Sequence, residues 1–325
     1  MATIGGGGVN NSLLVVTLAS AVFYGTPIFY AALGEVFAER SGVLNLGVEG
    51  MMLLGAVAGS YAAHEMGGPG WWVLSVALLA AMAAGGLGAL LHGFATITMR
   101  VNQTVSGLAL TILAGAAGLS SYLANVWGLG KSPVQFTNLN MFGLEDAPIV
   151  GPILFNQNIL TYLSWVACGV AMWYLFRTRT GLNLRSVGED PRTADSVGIN
   201  VTRYRYVHTV LGGALAGVGG AYVSLAIATT WADGVTAGQG WIAIALVIFG
   251  FWRPDLTLLG AYLFGAATSL AFTLQARGYD IAPQILDSLP YVLTVVVLVI
   301  VSSSAASKRI GAPAALGVPY DREAR

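Results

Sequence analysis

Charge is what this sequence has least of. Only 9% of its 325 residues are Asp, Glu, Lys or Arg, where soluble domains carry roughly 25%. Such a chain cannot clothe a globular surface in solvated groups, so its outer surface must face something apolar. Lys and Arg together number 15, as do Asp and Glu, which leaves no net charge to attract nucleic acid or any strongly charged partner. The single cysteine, Cys168, excludes a disulfide framework within the chain and a thiolate metal cluster. The three histidines, His64, His92 and His208, lie too far apart for ligand spacing, so neither a metal nor a cofactor is expected. Nucleophile–base pairs, paired catalytic carboxylates and a phosphate-binding G-x-x-x-x-G-K-[ST] loop are all missing. The chain is therefore not expected to be an enzyme, and any ATP that drives it is hydrolysed on another chain. The opening MATIGGGGVN lacks the basic region and cleavage site of a signal peptide, which makes the first apolar run a retained span.

Apolar residues and glycine are what fill the sequence. Hydrophobic residues make up 56% of it, with 43 glycines, and the mean hydropathy is +0.72. A bilayer core needs about 20 apolar residues per helix, and small residues let membrane helices approach closely. Nine stretches are free of Asp, Glu, Lys and Arg: approximately 12–33, 50–64, 71–91, 103–125, 157–176, 206–230, 234–252, 256–275 and 288–307. The expected fold is an all-α integral membrane protein of about nine transmembrane helices. Nine crossings with the N-terminus outside put every Lys and Arg except Lys131 and Arg277 on the cytoplasmic side, as the positive-inside rule requires. The loops 126–156 and 177–205 are too small for a core of their own, so residues 1–325 form one transmembrane domain.

Two interruptions of the apolar pattern resemble each other. SGVLNLGVEGMMLLGAVAG runs from Ser41 to Gly59, and DGVTAGQGWIAIALVIFG from Asp233 to Gly250. Each has Gly-Val, then two glycines enclosing a polar residue (Glu49, Gln239), then an apolar helix. The charge-based topology sets one at the inner side and the other at the outer side. That is the signature of inverted repeats, which build a pathway from broken helices at the repeat interface. The division expected is a first repeat over 12–176, a loop over 177–205, a second repeat over 206–307 and a cytoplasmic tail over 308–325.

Polar residues at apolar depth mark the candidate pathway. Glu49 reads either as a group on a substrate route or as a cap on the helix beginning near Gly50. Asn45, Asn102, Gln103 and Ser106 read either as hydrogen-bonding partners for a neutral ligand or as bonds to a neighbouring helix. Trp231 and Gln239 offer stacking and hydrogen bonding near the second interruption, while Trp71 and Trp72 read as interfacial anchors. In the inner loop, Glu189-Asp190-Pro191-Arg192-Thr193-Ala194-Asp195-Ser196-Val197-Gly198 reads as a short helix. Asp190 caps it, Pro191 suits its first turn and Gly198 ends it. Such a helix is a lever for another subunit.

LGEVFAERSGVLNLGVEGMMLLGA, RVNQTVSGLALTILA, GLNLRSVGEDPRTADSVGIN and TAGQGWIAIALVIFGFWRP, in that order, resemble the permeases of bacterial ABC importers for branched-chain amino acids and simple sugars, and more closely the subgroup that takes up nucleosides. The resemblance covers roughly residues 25–300. It implies that Gly188 through Ile199 contact the ATPase, with Gly188, Glu189, Pro191, Ala194, Asp195, Gly198 and Ile199 as coupling residues. It places Asn45, Gly47, Glu49 and Gly50 in the broken-helix region near the translocation route. It also implies an ATP-binding subunit, a second related permease chain, an extracytoplasmic substrate-binding lipoprotein and the lipid bilayer as partners, without nucleic acid, in the bacterial plasma membrane. The rival from another class is a secondary transporter driven by an ion gradient, for which Glu49 reads as the only carboxylate at depth. Substrates other than nucleosides, namely simple sugars or branched-chain amino acids, stay open.

Overall fold

The structure, a computed structural model, describes residues 13–302 and 311–322, apart from 116, 141–142, 145–146 and 279–280. The helices are α1 (Leu13–Arg40), α2 (Val48–Glu65), α3 (Gly70–Gly93), α4 (Gln103–Ala114), α5 (Leu119–Trp127), α6 (Ile159–Arg177), α7 (Arg179–Glu189), α8 (Pro191–Ser196), α9 (Val201–Tyr222), α10 (Gln239–Phe249), α11 (Pro254–Ala276), α12 (Pro283–Asp287) and α13 (Leu289–Ser302). π-helical turns extend α3 over Phe94–Thr98 and α9 over Val223–Ile227. The loop between α5 and α6 contains a small antiparallel pair, β1 (Asn138–Asn140) with β2 (Asn156–Asn158).

Six helices among the described residues are long and apolar enough to cross a membrane: Val15–Arg40, Gly70–Thr98, Gln103–Trp127, Ile159–Arg177, Val201–Ile227 and Pro254–Ala276. The sequence reading counts nine spans, and the difference lies in three shorter elements. The charge-free stretch 234–252 spends its first residues on non-helical backbone, leaving α10 only 11 residues. α2 has 18 residues with a carboxylate at each end, Glu49 and Glu65, and α13 has 14.

Two spans form the middle of the bundle. The most apolar windows of α1 and α9 are 61% and 67% buried, against 33% for α3, α6 and α11. Glycine puts α9 there. A Cβ on Gly212 would lie 2.6 Å from the Gly34 carbonyl oxygen of α1, one on Gly217 2.2 Å from that of Ala81 in α3, and one on Gly220 1.9 Å from that of Met52 in α2. The three neighbours thus approach α9 backbone to backbone, the close packing that small residues permit in membranes. On the outer helices Leu79, Leu87, Ile112, Val166 and Leu259 are exposed, as apolar residues facing lipid are. Trp71 and Trp72 are exposed at the start of α3, where interfacial anchors belong.

α1 runs seven residues beyond the charge-free stretch that announces it. It carries Glu35 and Glu39, each only 1% exposed. α9 begins at Val201, not 206, capped by Asn200, whose side chain accepts from Arg203 N. Arg205, which the charge count places in a loop, is therefore a buried helical residue, 1% exposed.

Candidate functional site

Backbone that leaves a helix inside an apolar bundle must find new hydrogen-bond partners. Between α1 and α2, residues 41–43 turn back onto the last carbonyls of α1, and side chains supply most of the partners from Leu44 to Gly47. Leu44 N–H donates to Gln103 Oε1 (2.6 Å), and the Leu44 carbonyl meets His92 Nε2 (3.2 Å). Asn45 N–H donates to Glu35 Oε1 (3.0 Å), and Gly47 N–H to the Asn45 side-chain oxygen (3.0 Å). Thr111 Oγ1 donates to the Leu46 carbonyl (3.0 Å). Ser106 Oγ holds the other His92 nitrogen at 3.0 Å. Four of these partners were expected near the site from the sequence alone: Asn45, Gln103, Ser106 and the adjoining Gly47.

The second break, 228–238, lies against the loop after α5. Ser132 N–H donates to the Thr229 carbonyl (3.0 Å) and Trp231 N–H to the Gly130 carbonyl (2.9 Å). Ser121 Oγ donates to Asp233 Oδ1 (2.7 Å). Gly238, with φ of +79°, turns the chain into α10 through the left-handed region that favours glycine.

Glu49 joins the two breaks. Its Oε1 accepts from Thr236 Oγ1 (2.5 Å) and Gly238 N–H (3.0 Å), and its Oε2 from Gly240 N–H (2.7 Å). A carboxylate in the first turn of α2 therefore satisfies the orphan donors at the start of α10, and it also sits favourably at the positive end of that helix. Glu49 lies in the first turn of its own helix, where the cap reading puts it, and it also caps a second helix nearly 190 residues away. The packing is close, since a Cβ on Gly240 would stand 2.5 Å from Glu49 Cα.

The remaining expected pathway residues divide. Gln239 begins α10, and its buried Oε1 has no partner among the described residues; the same is true of Gln103 Nε2, Trp231 Nε1 and Glu35 Oε2. The two breaks are thus bordered by unspent donors and acceptors. Asn102 differs: it is exposed and caps α4 by accepting from Val105 N–H at 3.1 Å.

Sequence reasoning missed Glu35, Glu39 and His92. Glu49 is not the only carboxylate at depth, because Glu35 braces the first break and Glu39 accepts from the Trp252 indole N–H. The available signal was the i, i+4 placement of Glu35 and Glu39 in LGEVFAER, which puts both on one face of a helix. His92 gives no local signal, because a lone histidine at the end of an apolar run does not announce its partners Leu44 and Ser106.

The loop 177–205 contains the expected capped helix, α8, and also α7. Asp190 Oδ1 accepts from Arg192 N–H (3.0 Å) and Thr193 N–H (3.1 Å), and Oδ2 from Thr193 Oγ1 (2.5 Å). The Thr193 hydroxyl first, with these N–H groups, holds the Asp190 carboxyl below its ordinary value. Gly198, with φ of +86°, ends the turn. Leu182, Arg185, Glu189, Asp190, Val197 and Ile199 border a groove of about 390 Å³ along α7 and α8. Glu189 and Gly198 are exposed and Pro191, Asp195 and Ile199 half-buried, whereas Gly188 and Ala194 face inward. Ala194 packs with Val187 and Val201 beneath Tyr320.

A bundle of apolar helices, six of them among the described residues long enough to cross a bilayer, is the framework of a multi-pass membrane protein. Residues 17–302 match the family described as branched-chain amino acid transport system / permease component, and the chain belongs to that family. It is a transport subunit, not an enzyme. It is 37% identical to the guanosine ABC transporter permease protein NupQ of Bacillus subtilis, across 95% of this chain and 97% of that one. It is also 37% identical to the nucleoside ABC transporter permease protein NupC of Lactococcus lactis (96% and 98%). A putative glucose ABC transporter permease protein, TsgC13 of Haloferax volcanii, is 36% identical (94% and 97%).

Proposed function

We propose that this chain is the membrane permease of an ATP-driven importer of nucleosides and works by alternating access. The observation that carries the reading is the end-to-end similarity to two permeases named for guanosine and nucleosides. The site is chemically suited to such cargo. A nucleoside is neutral and rich in hydroxyls, and the unspent amide and indole groups of Gln103, Gln239 and Trp231 suit hydrogen bonding and stacking without requiring a fixed charge. Asn45 and Glu49 hold the two breaks in register beside that route, Ser106 positions His92, and Asn102 stands at its rim. Sugar import is the second reading, favoured by the likeness to the glucose permease.

In this reading the chain crosses the membrane nine times, using α1, α2, α3, α4 with α5, α6, α9, α10, α11 and α13, with the N-terminus outside and the C-terminus in the cytoplasm. The first repeat ends with α6 and the second begins with α9. The partners are an ATP-binding subunit seated on the α7–α8 groove, a second related permease, and an extracytoplasmic binding lipoprotein that delivers the ligand. ATP binding on the partner shifts α8 and turns the permease pair about its central cavity. The substrate test is competition: labelled guanosine uptake into vesicles holding the whole complex, challenged with excess unlabelled nucleoside or glucose. Inhibition by nucleosides and not by glucose is expected, and ATP-dependent uptake of labelled glucose with none of labelled guanosine would move the assignment to sugars.

A further inference from the structure

The tail reading gives residues after 307 no task beyond carrying cytoplasmic charge. Yet residues 311–322 are bound both to the coupling segment and to the start of the first break. Ala315 N–H donates to the Gly188 carbonyl (2.9 Å) at the end of α7, and Ala314 N–H reaches Glu189 Oε2 (3.3 Å). Two residues further on, Gly317 N–H donates to the Gly42 carbonyl (3.3 Å) at the start of the first break. Arg205 Nη1 donates to the Val318 carbonyl (3.1 Å). Tyr320 covers Val187, Ala194 and Val201. Asp321 pairs with Arg100 (2.6 Å) and Arg322 with Asp195 (2.9 Å).

We infer that residues 311–322 are a strap that transmits movement of the coupling segment to the break between α1 and α2. The inference rests on the coupling role proposed above for Gly188 through Ile199. Its physical basis is reach. The two backbone bonds, to Gly188 and to Gly42, leave from residues two apart, and two residues span at most ~7 Å. So short a link has no slack: a displacement of α7 and α8 either carries Gly42 with it or breaks a hydrogen bond. Gly42 can yield, because it is a glycine at φ +87°, a conformation other residues adopt with strain. The attachment lies in the backbone bonds and Tyr320, because the two ion pairs are partly exposed, with both arginines open to solvent, and such pairs hold little. Arg205 is committed to the strap as well: it is 1% exposed, and its Nε and Nη2 have no partner among the described residues.

The test uses the whole complex in vesicles, comparing wild type, a chain ending at residue 310, and Tyr320→Ala. ATP hydrolysed, nucleoside taken up and ATPase co-purified are read on the same preparation. A strap that transmits motion predicts that the ATPase still co-purifies and hydrolyses ATP, while uptake per ATP falls at least ~10-fold in the truncation and several-fold in Tyr320→Ala. If the truncated chain fails to insert, Tyr320→Ala decides. Wild-type uptake per ATP in a variant that inserts overturns the strap, as does loss of the ATPase together with uptake, which would make the segment a mere support for α8. If wild type itself shows no ATP-dependent uptake, the permease reading fails first and the strap falls with it.

Discussion

At the scale of single residues, Glu49 does the work of three ordinary caps. Two oxygens take three donors from the start of α10, and a glutamine has only one oxygen to offer. Glu49→Gln sets an amide N–H₂ against donors, and an unsatisfied buried group costs about 1–3 kcal/mol. The variant is expected to melt lower in detergent, and its uptake to fall roughly tenfold if that loss appears in the transport-competent state. Thr236→Val removes one donor and keeps the shape, so a smaller loss in both readouts is expected. Trp252→Phe takes the indole donor from buried Glu39, and a drop in thermal stability of the same size as for Glu49→Gln would be measured by the same melt. Glu49 itself was legible, as a lone carboxylate between glycines at the start of an apolar run. Its partner was not, because nothing in a local pattern joins residue 49 to residues 236–240. Glu35 and Glu39 lie beyond the charge-free run, yet packing against α10, α11 and the first break carries α1 through both.

Among the elements, α9 depends most on what it lacks. A Cβ at Gly220 would fall 1.9 Å from the Met52 carbonyl oxygen, a backbone atom that cannot turn aside, so α2 and α9 would have to separate. Gly220→Val is expected to cost at least about 1–3 kcal/mol, the usual range for overpacking, seen as a lower melting temperature and reduced membrane accumulation. At α8, Asp190→Ala deletes a cap worth about 1 kcal/mol; weaker capture of the ATPase by a tagged permease is the expected outcome. Ala194 is the wrong place for a charge aimed at the partner, because it is 2% exposed and an arginine there would break the cluster with Val187 and Val201. Val197 is 72% exposed, so Val197→Arg should disturb docking and leave the permease folded. The capped helix was legible because its signals are local: an Asp, a Pro and a Gly at fixed offsets. α7 was not, since Arg179 to Glu189 is too polar to register as a span and carries no equally sharp stop.

Across the whole molecule, the sequence pattern reached the class of protein and the existence of two breaks, while the bundle decided how they meet. The Gly-rich interruptions announced non-helical backbone, and the structure brings them together through one carboxylate, with the first break under the strap and the second against the loop after α5. A bare count of apolar stretches could not foresee that α10 is 11 residues long, since the non-helical backbone that leads into it is as free of charge as the helix itself. A motor-driven permease and an ion-coupled transporter differ in what supplies the energy. The decisive measurement is uptake of labelled nucleoside into inside-out-controlled vesicles containing the chain, its ATP-binding subunit, its sister permease and its binding protein, with Val197→Arg alongside. The account predicts saturable uptake that requires ATP, ignores collapse of the ion gradients, and disappears in Val197→Arg together with the co-purified ATPase. Uptake by the chain alone, driven by an ion gradient and indifferent to ATP, would contradict it.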